Sequence, residues 1–235
     1  MPEEYLLFLD TETTGLPARW DRPYAEPQHW PRVVQLAWLV FDGAGTLIKT
    51  DQDYLQIPPG TMPASAVAIH GLTPEFLRAN GRPPAVVLRR LLHDLKTYRP
   101  RIVGHFLRLD FHVLGAALAQ AGLPNPLPAL PQFCTMQLRL ALPGPTSHRY
   151  LRLPELHAAL FGTVPDRAHD AYADAAATAR CFFELRQRGL LPAEVLNGQR
   201  PLLPPGARRW GRAWWWVLPA VVVGILLLIC WLLYG

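Results

Sequence analysis

From Ala213 to Gly235 the chain carries no charged residue. Some 21 residues at about 1.5 Å rise each span roughly 30 Å, the thickness of a bilayer's hydrocarbon core. A buried core helix would show a polar face. This stretch has none, and Trp214, Trp215 and Trp216 stand at one border with Trp231 and Tyr234 at the other, an aromatic belt at each interface. The sequence therefore predicts one transmembrane helix over 213–235. Arg208, Arg209 and Arg212 precede it and no basic residue follows, so the positive-inside rule predicts a single-pass, tail-anchored protein with its body in the cytoplasm. The acidic start, Met1 to Glu4, leads into an apolar run that stops at Asp10, which does not read as a signal peptide.

Everything that folds in water must then lie upstream. Residues 191–212 hold Pro192, Pro201, Pro204, Pro205, Gly198 and Gly206, and are expected to be a Pro/Arg-rich linker. Residues 1–190 are expected to be one globular domain. The net charge of +5 divides unevenly: residues 1–190 hold 19 Lys/Arg and 17 Asp/Glu, residues 191–235 hold 4 and 1. The body is thus only slightly basic, a balance that permits a phosphate-bearing partner without requiring one. Cys134, Cys181 and Cys230 are far apart and lack C-x-x-C spacing, so neither a disulfide framework nor a zinc site is suggested.

The body opens with strand signals at Tyr5 to Leu9, Val33 to Phe41 and Thr46 to Ile57, the last two joined by the turn Asp42-Gly43-Ala44-Gly45. Helical stretches follow at Pro63 to His70, Pro74 to Asn80 and Pro84 to Tyr98, where Val87, Leu88, Leu91, Leu92 and Leu95 recur at helical spacing. A strand is expected at Arg101 to Gly104, a helix at Leu109 to Ala121, and a short strand at Gln132 to Cys134. Helices are expected at Thr135 to Leu142, Leu153 to Phe161 and Ala171 to Gln187. A three-strand meander followed by alternating helices and strands indicates an α/β domain with a mixed sheet.

Asp10 and Glu12 lie two apart at the end of the first strand, so period-two alternation puts both carboxylates on one side of the sheet. Two acids this close repel unless a hard cation lies between them; a solvated strand end is the plainer alternative. Asp110 falls in the helix after the fourth strand, where a carboxylate also complements the helix dipole. His169 and Asp174 are five apart, about 140° around a continuous helix. They face one site only if His169 sits on the preceding loop with Asp170 near the N-cap, which is the arrangement expected. Arg19, Trp20, Arg22, Tyr24, Trp30 and Arg32, spread through the loop 16–32, either grip a single strand or pack on one another.

The ordered set D-x-E-T-T-G at Asp10 to Gly15, the helix-borne Asp110 and H-x-x-x-x-D at His169 to Asp174 resembles the DEDDh (DnaQ-like) 3′→5′ exonucleases. That group includes the proofreading epsilon subunit of bacterial DNA polymerase III and the three-prime repair exonucleases. The resemblance runs from about Tyr5 to Arg188 and includes Ile69-His70-Gly71-Leu72-Thr73 and Leu151-Arg152-Leu153-Pro154-Glu155-Leu156. It implies a ribonuclease H-like mixed sheet flanked by helices. It also implies that Asp10, Glu12, Asp110 and Asp174 hold two divalent ions, Mg²⁺ or Mn²⁺, about 4 Å apart, for in-line displacement at phosphorus. His169 would be the general base. Thr11, Thr13, Ile69, His70, Leu72 and Phe106 resemble the pocket for the 3′-terminal nucleotide. Phe106 stands where the family commonly has Asn, Leu109 where it often has Phe, and Cys134 where it often has Asp. The implied function is a metal-dependent 3′→5′ exonuclease at the cytoplasmic face of a membrane, acting on nucleic acid with a free 3′ end. Single-stranded DNA, in DNA repair or proofreading, is the leading substrate. RNA 3′-end trimming and a non-catalytic membrane-tethered nucleic-acid-binding protein remain alternatives.

Overall fold

The computed structural model describes residues 4–138, 150–166 and 169–207. The chain divides into two compact units, Met1–Pro205 and Gly206–Gly235, and the fold below is that of the first. Strands β1 (Leu6–Thr13), β2 (Val33–Phe41) and β3 (Leu47–Tyr54) form an antiparallel meander. Helices α1 (Ala64–His70), α2 (Pro74–Asn80) and α3 (Pro84–Tyr98) follow. The chain then crosses to β4 (Arg101–Gly104), which pairs parallel to β1, passes through α4 (Leu107–Gln120), and adds β5 (Gln132–Cys134) parallel to β4. Helices α5 (Leu153–Phe161), α6 (Ala171–Gln187) and α7 (Ala193–Gly198) complete the unit. The sheet order is β3-β2-β1-β4-β5, so β1 is central.

Alternation along β1 divides the core into two. Leu7 and Leu9 pack with Trp38, Leu88, Leu91 and Leu114, the β2–α3–α4 side. Leu6 and Phe8 pack with Phe133, Leu156 and Phe182, the α5–α6 side. Continued along the strand, this alternation carries Asp10 and Glu12 on the α6 side and Thr11 on the α4 side. Most element starts have a local cause. Thr73 caps α2 by accepting from the Phe76 N–H at 3.1 Å, ahead of Pro74 at the first helical position. Glu155 accepts from the Arg152 N–H at 2.8 Å at the start of α5. In the core, the buried Asp94 accepts from Trp38 Nε1 and Lys49 Nζ, both at 2.8 Å, so its charge is paired.

Two sequence expectations change. β1 extends to Thr13 rather than stopping at Leu9, because Val33, Gln35, Leu36 and Ala37 of β2 supply a partner for every residue of the polar run Asp10 to Thr13. The expected 191–212 linker also begins as folded chain. Leu191 is buried, α7 packs, and the Arg101 guanidinium donates to the Leu196 carbonyl at 3.1 Å and to Asn197 Oδ1 at 2.9 Å. The Gln199 side chain bonds both backbone groups of Cys134, and the Leu202 N–H donates to Gln132 Oε1 at 2.8 Å. Apolar side chains spaced among the prolines hold this stretch to the body, and proline needs no backbone donor there.

Among the described residues no helix is long and apolar enough to cross a membrane. The helix expected over 213–235 and the arginines before it lie outside the described residues, as does the second half of the helix expected at Thr135 to Leu142. The described part of the latter is a 3₁₀ turn over Thr135–Gln137.

Candidate active site

β1 brings Asp10 and Glu12 to its C-terminal end, where helices from both sides of the sheet meet it. α4 contributes Asp110 from its first turn, and Thr11 Oγ1 donates to Asp110 Oδ1 at 2.7 Å, tying helix to strand. α6 contributes Asp174 from its first turn. Asp170 is the N-cap of α6, accepting from the Ala173 N–H at 3.0 Å, and His169 lies just before it with φ of 67°. This left-handed residue turns the chain so that the His169 N–H donates to Asp174 Oδ2 at 3.1 Å. The spacing of five thus closes on one site. Ligand atoms of Glu12, His169 and Asp174 lie within 4.8 Å of one another. Glu12 and Asp110 are buried, Asp174 is half-buried and His169 is exposed.

The acids perturb one another. Burial and then repulsion from Asp110, Asp174 and Glu12 hold the Asp10 carboxyl well above its usual range. Burial and the charge of Asp174 and Asp110 push Glu12 up to about 8. Burial raises Asp110 to about 7, against the opposing hydrogen bond from Thr11, and burial raises Asp174. Other acids in the molecule have cationic partners, such as Asp53 with Arg82 and Arg90 and Glu4 with Arg101. Among the described residues none of these four forms an ion pair with Lys or Arg. Four convergent acids with no lysine or arginine partner among the described residues fit hard divalent ions.

Thr13 Oγ1 donates to the Gly15 carbonyl at 2.7 Å. His70 accepts at Nδ1 from the Leu72 N–H at 3.0 Å, its Nε2 is buried, and burial holds its pKa below the usual imidazole value against an opposing contact with the Thr13 backbone. Ile69 is exposed. Phe106 is the N-cap of α4 in left-handed conformation, φ 62°, with its ring exposed and 6.4 Å from that of Trp20. Arg108 stands over the Trp20 ring at 4.4 Å.

The 16–32 loop mostly packs on itself and on α4. Tyr24 hydrogen-bonds His112 Nδ1 at 2.9 Å, Trp30 stacks on the His112 ring, and Arg22 pairs with Glu26. A Cβ on Gly115 would come within 2.5 Å of the Tyr24 ring, so the glycine is what lets Tyr24 lie across the helix.

One residue of this region escapes the motif reading. Gln35, 2% exposed, sits opposite Glu12 on β2; its Nε2 donates to Asp170 Oδ2 at 3.1 Å and its Oε1 accepts from the Ala171 N–H at 3.2 Å. A lone amide within the apolar run Val33 to Phe41 is the signal that could have found it.

No curated protein matches the chain. Among solved structures, the zinc-bound exonuclease I–ssDNA complex of E. coli has a TM-score of 0.65 at 24% identity, over 79% of this chain and 41% of that one. The same enzyme with a dA16 oligonucleotide gives 0.64 at 22%, over 79% and 41%. Exonuclease I from Methylocaldum szegediense gives 0.62 at 22%, over 83% and 42%. This chain therefore spans about two fifths of the length of those proteins, and the likeness is one of fold: a ribonuclease H-like mixed sheet flanked by helices. The family model described as exonuclease (RNase_T) matches residues 7–182, three quarters of the sequence, and the chain belongs to that exonuclease family.

Proposed function

We propose that the protein removes nucleotides one at a time from the 3′ end of single-stranded DNA, using divalent cations held by Asp10, Glu12, Asp110 and Asp174, with His169 as general base. The observation that carries this reading is the convergence of those four acids from β1, α4 and α6, none in an ion pair with Lys or Arg among the described residues, with an exposed imidazole within ligand distance of two of them. Cations bound there would acidify a water and stabilise the departing 3′ oxygen. The protein's own contribution is geometric. Thr11 holds Asp110 against the strand, and the turn at His169 presents the ring at the rim of the cluster, where it can take a proton from the attacking water. His70, Ile69, Leu72, Thr13 and the backbone of Thr11 line the approach for a terminal nucleotide, with Phe106 on the α4 side. The single-strand substrate is supported by the oligonucleotide complexes of the structurally similar exonuclease I. A membrane tether is supported by the uncharged 213–235 segment and its bordering tryptophans.

The test uses the full chain in detergent with 3′-labelled single strands and Mg²⁺. Label should leave as mononucleotide before any internal cut, EDTA should stop the release, and Asp174→Ala should abolish it. Label retained by the wild-type protein, or lost equally well in the variant, overturns the reading. Faster digestion of a matched RNA would replace the DNA substrate. Sedimentation with membranes that persists after deletion of 213–235 would remove the tether.

A further inference from the structure

We infer that Gln35 is a positioning residue for His169, acting through Asp170 and the start of α6. The inference rests on the exonuclease reading above and extends it to a residue on a different strand. The Gln35 side chain is almost wholly buried, and both ends of its amide are used on consecutive residues of the chain that follows His169: Nε2 on the Asp170 carboxylate and Oε1 on the Ala171 N–H. The other Asp170 oxygen accepts from Ala173. Asp170 is therefore committed on both oxygens, although it lies close enough for its charge to act on Asp10 and Glu12.

His169 needs this support because its backbone is left-handed, a conformation that an L-residue other than glycine keeps only when its surroundings over-determine it. The support comes from both sides. Asp174 takes the His169 N–H, and Gln35 pins the next two residues to β2. The strand that Gln35 belongs to is in turn fixed against β1 with Gln35 opposite Glu12. One buried amide thus sets the distance between the carboxylates on β1 and the imidazole before α6.

The decisive experiment is a double-mutant cycle between Gln35→Met and His169→Ala, read as kcat and KM for single-strand digestion. Misplacement of a catalytic group by about 1 Å costs on the order of 100-fold, so Gln35→Met is expected to lower kcat about 10- to 100-fold with KM unchanged. In the His169→Ala background the same change should cost less than about twofold, because the group it positions is gone. Equal losses in both backgrounds, or an unchanged kcat, overturn the inference. Gln35→Glu, of the same size but lacking the amide donor, replaces the Met variant if that one does not fold, with the same expected coupling. NMR of the His169 ring gives a readout independent of turnover: its ¹H–¹³C signals should shift or broaden in the Gln35 variant, and unaltered signals also overturn the inference. Failure of the wild-type protein to release nucleotide would sink the exonuclease reading instead, and the ring signals would still decide this one.

Discussion

The two helices that feed the site begin in contrasting ways. α4 and α6 each deliver an acid from the first turn, Asp110 and Asp174, and each is preceded by a residue other than glycine in the left-handed region, Phe106 and His169. α6 is heavily fastened at that point, with Asp170 capping Ala173, Gln35 gripping Asp170 and Ala171, and Asp174 holding the His169 N–H. α4 has no side-chain cap, and the described bond holding its first acid to the sheet is the one from Thr11. Strain of the same kind is therefore supported by a polar network on one side and by packing on the other. With His169 as the proposed general base, the difference suits a division of labour in which α6 holds the imidazole in place while α4 offers an acid and an exposed ring.

Removing the acids should erase that contrast. Asp110→Asn and Asp174→Asn are each expected to lose more activity than His169→Ala, for which removal of a general base predicts about a 10²- to 10⁴-fold fall in kcat. Single-turnover digestion at saturating Mg²⁺ measures this. An Asp110 variant that keeps substantial activity would mean that α4 is not part of the chemistry.

Metal and pH probe the acids as one cluster. Glu12, raised to about 8, and Asp110, raised to about 7, bind protons more tightly in the folded state than in the unfolded chain. The folded state then carries extra protons between about pH 4 and pH 8, so stability without metal falls as pH rises through that window and levels off above it. Divalent cations compete with those protons, so the rise in Tm between EDTA and saturating Mg²⁺ should grow from about pH 5 to about pH 8. A Tm difference that stays constant across that range would show that the raised acids are not where the cation binds.

How far the sequence reveals this arrangement depends on the range of the interaction. β2, α3, β4, β5, α5 and α6 have the boundaries that periodicity, Pro punctuation and turn residues predict, because those are local signals. Local signals end β1 at Leu9, since Asp10 to Thr13 lacks an apolar rhythm and is strand only because β2 lies alongside. The folded stretch after Leu191 looks like a spacer in sequence because its prolines and glycines outweigh, locally, the few side chains that pack it on the core and hydrogen-bond it to β4 and β5. Motif spacing identified the acids and His169, and the need for a loop before Asp170 followed from helix geometry. Gln35 belongs to no motif, and only its amide in an apolar run marks it. Its partners are 135 and 136 positions away, a pairing that only the fold creates.

A middle-sized effect should come from the fastening of α6. Asp170→Ala removes an N-cap, worth about 1 kcal/mol, and leaves the buried Gln35 amide without its acceptor, a further penalty of about 1–3 kcal/mol. Urea denaturation should show a loss at least as large as the cap alone. A loss much below 1 kcal/mol would mean that the network is not what holds the helix start.

The smallest expected effect lies at the lightly fastened helix and has the opposite sign. Phe106 holds φ of 62° at the α4 N-cap, where a side chain other than Gly, Asn or Asp costs roughly 1–2 kcal/mol. Asn tolerates that backbone and also favours the N-cap position, so Phe106→Asn should relieve the strain. Against this stands the loss of the tilted contact with Trp20, worth about 0.5 kcal/mol or somewhat more for a ring pair with one member exposed. Relief outweighs the lost contact, and the variant should be more stable by up to about 1 kcal/mol in urea denaturation. If the exposed ring contributes to holding a nucleotide, the same variant should raise KM for single strands while leaving kcat within about twofold, because the acids and His169 are untouched. Stability gained with KM unchanged would assign the phenylalanine no part in substrate binding. Stability lost would show that packing with Trp20, rather than backbone tolerance, decides the residue at the start of α4.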